Sequence, residues 1–488
     1  VGTPATLLCD FYKVSHREQY PEGTEMIYST WTPRSNKHYP HVNKVIAFGF
    51  QGMIKKILID YFDDNFFNRS KEEVVAEYYR FIKYALGIEE PSTTHIEELH
   101  DLNYLPLEIM AVPEGTSVSL KQPMLTVRNT DERFYWLTNY IETLVSAEMW
   151  APSTAATIAD RYKKILTKYA MDTVGNADFV PFQGHDFSMR GMMGIEAAQL
   201  TGSGHLLSFV GTDTIPAISY LEDYYNADVE KELVGTSIPA TEHSVMCAGG
   251  KEDEYRTYKR LITEVYPTGF VSIVSDTWDL WNTLTTIIPN LKEEILARDG
   301  KVVIRPDSGD PIDIICGTGN YMYGLPQAKG VVELLWDTFG GTINEQGYKE
   351  LDPHIGCIYG DSITPERCEE ICERLKAKGF ASTNMVYGIG SYTYQFNTRD
   401  TFGFAMKSTA CIINGKERMI FKDPITDDGT KKSAKGAVAI VNGKLVDELT
   451  ISEAKIISDN LLRPIFRDGD LLINDTLAAI RNRVKEGV

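Results

Sequence analysis

Between positions 206 and 391, short apolar runs end again and again in a residue able to do chemistry. LLSFVGTD ends in Asp213, SIPATEHS carries His243, FVSIVSD ends in Asp276, VVIRPDS holds Asp307, IGCIYGD ends in Asp361 and MVYGIGS ends in Ser391. One carboxylate after a strand is commonplace, because aspartate is a favoured turn and N-cap residue. Four at equivalent places suggest a ring of carboxylates at one end of a sheet, suited to the hydroxyls of a sugar and, with a divalent cation such as Mg²⁺, to its phosphates.

The chain has 49 Lys+Arg against 68 Asp+Glu, a formal charge of -19, so an anionic ligand needs local cations to overcome the overall field. Arg190, Arg305, Arg399, Lys407 and Lys422 lie beside the turn residues above or just beyond them. In GHDFSMRGM an aromatic (Phe187) precedes an arginine (Arg190), an arrangement able to hold a flat, electron-poor ring by stacking; the plain alternative is a buried His185–Asp186 pair with a core phenylalanine. In SIPATEHS, Ser237 lies upstream of Glu242 and His243. In VYGIGSYTYQFNTRD, the turn through Gly388, Gly390 and Ser391 has backbone N–H groups to offer a phosphate, although it is neither a GxGxxG nor a Walker loop.

The apolar runs alternate with helical patterns such as EDEYRTYKRLITEVY, VVELLWDTF and PERCEEICERLKAKG. Such alternation predicts a parallel α/β sheet or barrel with ligands at the carboxyl ends of its strands. Upstream, SKEEVVAEYYRFIKYAL reads as a helix with a Ser70–Glu73 capping box; RFYWLTNYIETLVSAEMW and STAATIADRYKKILTKYAMDTVG read as two more, the second stopping at Gly175. Beyond Asp400, Asn414-Gly415 and Asn442-Gly443 sit between extended runs and predict hairpins. The expected architecture is α/β: an irregular α/β barrel over 176–399, with a second α+β domain built from both chain termini (1–175 plus 400–488).

Composition narrows the function classes. The acidic balance argues against nucleic acid or an anionic membrane as partner, and no stretch reaches the apolar length of a membrane span. The seven cysteines show no CxxC or zinc spacing, and Cys368 and Cys372 fit one helix face better than a metal site. The N-terminal stretch lacks the pattern of a signal peptide, and a reducing, cytoplasmic setting is expected.

DFYKVSHREQYP, VPEG, YWLTNYIETL, HDFSMRG, FVGTDT, SIPATEHS, VSIVSD, IRPDSGDP, YGD, TRD and FKDP, in that order, resemble the nicotinamide phosphoribosyltransferases, members of the type II phosphoribosyltransferase family. The resemblance implies a barrel plus a domain from both chain ends, in a homodimer with active sites at the interface. It implies synthesis of nicotinamide mononucleotide (NMN) and pyrophosphate from nicotinamide and phosphoribosyl pyrophosphate, in NAD salvage, with Mg²⁺ and with ATP as an activating co-substrate. Phe187 and a partner's Tyr12 would sandwich the pyridine ring. Asp213 would accept from the carboxamide, with Arg190, Ser237 and Arg305 nearby. Asp307, Gly360 and Asp361 would meet the ribose, Ser272 and Asp276 the sugar and its phosphates, and Gly390, Ser391 and Arg399 the 5′-phosphate. Arg34, Lys407, Lys422 and Lys431 would serve pyrophosphate or ATP, and His243 resembles a histidine that ATP phosphorylates. Its catalytic set would be His243, Asp276 and Asp307. One departure is GIGSYTYQ, where Ile389, Ser391 and Tyr392 replace smaller residues, so altered phosphate geometry or ATP coupling is expected there.

Overall fold

The computed structural model describes residues 2–488. The chain forms two compact units. One takes the N-terminal segment up to Thr157, Ser219–Asp228 and Asn397–Val488; the other takes Ile158–Ile218 and Val229–Phe396. The sequence reading puts the first boundary at 175/176, where its helix stops at Gly175, and it divides that helix from the one before it at Ala151-Pro152. In the structure Glu142–Thr173 is one helix with Pro152 inside it. A proline deletes one rung of a helix. The helix runs on regardless, and in the next turn Thr154 Oγ1 donates to Trp150 O (2.7 Å) and Thr157 Oγ1 to Ser153 O (2.8 Å).

The second unit is built on a six-stranded parallel sheet: β1 (Gly184–Asp186), β2 (Gly211–Thr212), β3 (Val271–Val274), β4 (Val302–Arg305), β5 (Ile355–Tyr359) and β6 (Met385–Ile389), in the order β2-β1-β6-β5-β4-β3. β3 and β5 are buried at every position, as strands covered on both faces must be. SIPATEHS, expected as a strand, is not one: Pro239 has no N–H to give a ladder. Its segment instead bridges the two sheet edges, Thr236 pairing with Gly211 and Ala240 with Ser272, with Thr212 N–H donating to Thr236 O (3.0 Å) and Ser272 N–H to Pro239 O (2.9 Å). That strap closes the sheet into an irregular barrel. Around it, the helix Pro365–Ala377, capped by Thr364, buries Cys368 and Cys372 on one face. All seven cysteines are free thiols.

In the first unit a seven-stranded sheet runs Lys416–Met419, Ala405–Ile413, Thr24–Thr32, Leu125–Asn129, Leu107–Ala111, Arg463–Arg467, Asp470–Leu471, antiparallel throughout and with strands from both chain ends. Both Asn-Gly turns have positive φ at each residue (50° and 69°; 50° and 70°), the type I′ geometry that fits strand twist. Ser70 caps the helix Lys71–Leu86 by accepting from Glu73 N–H. Glu114, fully buried, accepts from the N–H groups of Gly49, Phe50 and Gln51 (2.6, 2.9 and 3.0 Å) and from the Tyr225 hydroxyl (2.8 Å). Burial is the main influence on its carboxyl and pushes the pKa up to about 6 against those bonds.

Candidate active site

The ends of β1, β2 and β4 gather the first group of polar side chains. Successive residues of a strand point to opposite faces, so His185 and Asp186 part company: Asp186 is buried and accepts from Ser188 N–H (2.8 Å), while His185 Nε2 donates to Asp213 Oδ1 (2.7 Å). The expected alternative of a His185–Asp186 pair is thereby replaced by a His185–Asp213 pair. Ser237 Oγ, from the strap, donates to the same Oδ1 at 2.6 Å. Burial raises the Asp213 pKa, but these two bonds and the charges of His185 and Arg305 outweigh it and leave the carboxyl below its ordinary value. One carboxylate oxygen is thus saturated and Oδ2 is left for a ligand.

Phe187 follows on the same chain, its ring 4.5 Å from that of His185. Gly388 makes room for it: a Cβ there would stand 2.8 Å from Phe187 Cδ2 and 2.8 Å from Tyr359 O. Arg305 ends β4, donates from Nη2 to Thr241 O (2.8 Å), and has its pKa lowered mainly by burial, partly restored by Asp307, Asp213 and Asp276. Exposed Arg190 is close enough to add to the lowering. His185, Phe187, Asp213, Ser237 and Arg305 line one end of a cavity of about 150 Å³. The cavity continues inside the barrel past Ser272, whose buried Oγ has no partner among the described residues, to Phe182, Phe270, Lys301 and Asn384.

A second group lies at the ends of β3, β4 and β5. Asp276 Oδ2 accepts from Asp307 N–H (2.9 Å) and Ser308 Oγ, while its buried Oδ1 has no partner among the described residues. Gly360 is bare beside Asp307: a Cβ there would be 2.4 Å from Asp307 Oδ1. Asp361 is exposed and accepts from Ser362 Oγ (3.0 Å). Asp276, Asp361, Asp307 and Asp310 together raise the Tyr359 pKa further after burial, the largest cause. His243 opens the helix His243–Gly249, with Nδ1 3.0 Å from Thr277 Oγ1 and Nε2 3.6 Å from Asp307 Oδ2.

Gly390 and Ser391 form the turn after β6, and Ser391 begins the short helix Ser391–Tyr394. Gly191 must be bare for Ser391 to sit there, since its Cβ would fall 2.1 Å from Ser391 Oγ. Of the departures noted in this stretch, Ile389 is buried in the sheet and Tyr392 is exposed, stacked on Phe396 (5.1 Å). Only Ser391 faces the turn itself.

In the other unit, Arg34, Arg399, Lys407 and Lys422 form a cationic cluster. Burial lowers the Lys407 pKa most, Glu142 opposes, and Arg34, Lys422 and Arg399 lower it further. Arg34 is fixed by Nε donation to Gly403 O (2.8 Å). Lys431 is exposed in the loop beyond, its N–H on Asp427 Oδ2 (2.6 Å). Tyr12 is 59% exposed on the helix Phe11–Val14, edge-on to His16. The sequence reading did not single out His185 as a ligand-facing residue, nor Thr277 or Ser308. Strand alternation was the available signal for His185; the other two are ordinary turn residues whose role only contacts reveal.

A carboxylate with one free oxygen beside an aromatic ring, aspartates beyond it and a Gly-Ser turn describe a site for a planar base joined to a phosphorylated sugar. The chain belongs to the nicotinate phosphoribosyltransferase (NAPRTase) family, whose model matches residues 182–469. Residues 5–87 match the nicotinamide phosphoribosyltransferase N-terminal domain. More narrowly, the chain is similar to the nicotinamide phosphoribosyltransferases of Acinetobacter baylyi (51% identical, covering 98% of this chain and 96% of the relative) and Mycoplasma pneumoniae (36%; 88% and 94%). Among solved structures it shares its fold with a nicotinate-nucleotide pyrophosphorylase from Pyrococcus furiosus (TM-score 0.56, 14% identity, covering 100% of this chain and 96% of that one) and with human nicotinic acid phosphoribosyltransferase (0.55, 13%, 99% and 93%).

Proposed function

We propose that this chain transfers the phosphoribosyl group of phosphoribosyl pyrophosphate to nicotinamide, releasing pyrophosphate and forming NMN for NAD salvage. The observation that carries the choice of base is Asp213. With Oδ1 taken by His185 and Ser237, Oδ2 is an acceptor that suits a carboxamide NH₂ and repels the carboxylate of nicotinate. Phe187 offers one face to the ring, and the exposed Tyr12 of a second subunit in a homodimer would offer the other.

The pyridine nitrogen carries no proton, so no general base is required. It attacks the anomeric carbon while the bond to pyrophosphate breaks. Asp307 and Asp361 hold the ribose hydroxyls, Gly390 and Ser391 with Arg399 the 5′-phosphate, and nearby carboxylates stabilise positive charge on the sugar. Arg34, Lys407, Lys422 and Lys431 take up the charge of pyrophosphate or of ATP phosphates. The donors fit Mg²⁺ in its usual manner, in which one or two carboxylates and substrate phosphates share the ion. Asp276, through its unpartnered Oδ1, and Asp307 would hold it. The ion would neutralise charge on the departing pyrophosphate. His243 is the residue for ATP: Nε2 would take the γ-phosphoryl group as ADP leaves, and water would later release phosphate. The enzyme works in the cytoplasm as a homodimer, with active sites at the interface.

The test is NMN formation by purified protein from nicotinamide, phosphoribosyl pyrophosphate and Mg²⁺, with and without ATP, beside a parallel assay with nicotinate. NMN formation, faster with ATP, is expected. Equal turnover of nicotinate would overturn the choice of base.

A further inference from the structure

The base, ribose and phosphate contacts lie on three separate turns, and a buried network joins those turns behind the site. His205 ends the helix Ile195–His205 and is wholly inaccessible. Its Nε2 lies 2.9 Å from Gly211 O, on the strand that leads into Asp213. Its Nδ1 lies 2.6 Å from the Tyr394 hydroxyl, on the helix that Ser391 begins. A carbonyl oxygen only accepts, so Nε2 carries the proton and Nδ1 accepts from Tyr394 Oη–H. Burial lowers the His205 pKa, against the influence of Asp186 and of the Gly211 carbonyl, and so favours this neutral form. The imidazole is held flat against Phe209 (5.2 Å, 27°) and edge-on to Tyr394 (5.6 Å, 76°).

The neighbouring residue of the same helix reaches the other way. Buried Thr393 Oγ1 donates to Ile363 O (3.2 Å), two residues beyond Asp361, and lies 3.0 Å from the Tyr162 hydroxyl, itself 3.3 Å from Ile363 O. Four residues of helix are thus tied on one side to the turn proposed for the base and on the other to the turn proposed for the ribose.

We infer that His205 and Tyr394, with Thr393, are positioning residues that set the spacing between the base-holding and phosphate-holding turns. The inference rests on the reading that NMN spans Asp213 and Ser391. None of the three needs to touch substrate. Each subsite keeps its own contacts without the network, so separate fragments would still bind. A ligand that spans both subsites gains its extra affinity only when they stand at the right separation, and misplacement on the scale of an ångström costs rate.

The test is equilibrium binding of NMN, nicotinamide and ribose 5-phosphate, each alone, to the full-length protein and to Tyr394→Phe, which removes one hydroxyl and little volume. The NMN Kd should rise about ten-fold, with the Kd values of the two fragments within about two-fold of the parent. Steady-state kcat should fall by about the same factor while both KM values hold. A protein merely less well folded would bind all three ligands with unchanged Kd and fewer sites. That result, or a parallel rise in all three Kd values, overturns the inference. Thr393→Val, which is isosteric, should repeat the pattern from the ribose side, and it carries the test if Tyr394→Phe does not fold. If the parent protein binds neither NMN nor nicotinamide, the functional reading fails; if it binds both and each variant matches it, only the positioning role fails.

Discussion

Asp213→Asn isolates the charge that selects the base. The substitution keeps the shape of the side chain, removes the charge and turns one carboxylate oxygen into an NH₂ donor. A nicotinate carboxylate in place of the carboxamide would stand about 4 Å from that of Asp213, a repulsion of about 4 kcal/mol at an effective dielectric constant near 20. The Asp213 side chain is 45% exposed, so solvent screening reduces the working figure to about 2 kcal/mol. That corresponds to about 30-fold in kcat/KM. With the remaining oxygen still taken by His185 and Ser237, the free atom becomes an NH₂ donor, so nicotinamide loses its hydrogen bond to a charged acceptor, about 1.5 kcal/mol or about ten-fold. Asp213→Asn should therefore lower kcat/KM for nicotinamide about ten-fold and raise that for nicotinate about 30-fold, shifting the ratio by about 300. Chromatographic initial rates for NMN and nicotinate mononucleotide from the same preparation measure it. A ratio that moves less than about three-fold would refute the assignment of Asp213 to the carboxamide, since no arrangement of that carboxylate against the base leaves nicotinate indifferent to its charge.

Gly388→Ala places a methyl 2.8 Å from both Phe187 and the Tyr359 carbonyl; the ring must swing, and the nicotinamide KM should rise about ten-fold with a loss of about 1–3 kcal/mol in stability, read by denaturant titration. Glu114 is an acid whose folded pKa, about 6, lies above its ordinary 4.5. The native state therefore holds that proton to higher pH than the unfolded chain. Its contribution is fully present below the unfolded value and is lost as pH rises from about 4.5 to 6, by about 2 kcal/mol. Glu114→Gln should flatten that slope in a pH series of unfolding curves, and an unchanged slope would remove Glu114 as its source. If the base is clamped across subunits, co-expressed Tyr12→Ala and Phe187→Ala chains should recover activity as heterodimers, about one intact site in two, where either variant alone has almost none; absence of complementation would count against a shared site.

What could be read from the chain and what could not follow different physics. Strand ends are local: valine and isoleucine runs that stop at a charged or glycine residue place Asp276, Asp307 and Asp361 without knowledge of the rest. The Asn-Gly turns are local too, because they need positive φ at two successive residues. The strap around Pro239 misleads, since its apolar pattern resembles a strand while its proline forbids the ladder. Pro152 misleads in the opposite sense, being a helix breaker that here lies inside a continuous helix. The assignment of Ser219–Asp228 to the first unit rests on tertiary contacts such as Gln51 Nε2 to Tyr224 O (2.7 Å), which no local pattern announces. His185 sits on a strand and His205 at a helix end, and only the fold shows that one meets Asp213 while the other is buried on Gly211 O and the Tyr394 hydroxyl.

The seven-stranded sheet has a consequence for synthesis. Thr24–Thr32 waits for Ala405–Ile413, and Leu107–Ala111 for Arg463–Arg467, so its edges stay open until nearly the whole chain has left the ribosome. The barrel strands span only Gly184 to Ile389 and have every partner already made by then. Domains generally fold as they emerge, and unpaired strand edges are where intermediates aggregate. The order of assembly should thus run barrel first and first unit last, with the N-terminal third of the nascent protein the part most in need of protection. Truncation before Arg463 would leave the edge strand Leu107–Ala111 exposed, and such a product should precipitate while its barrel strands are complete.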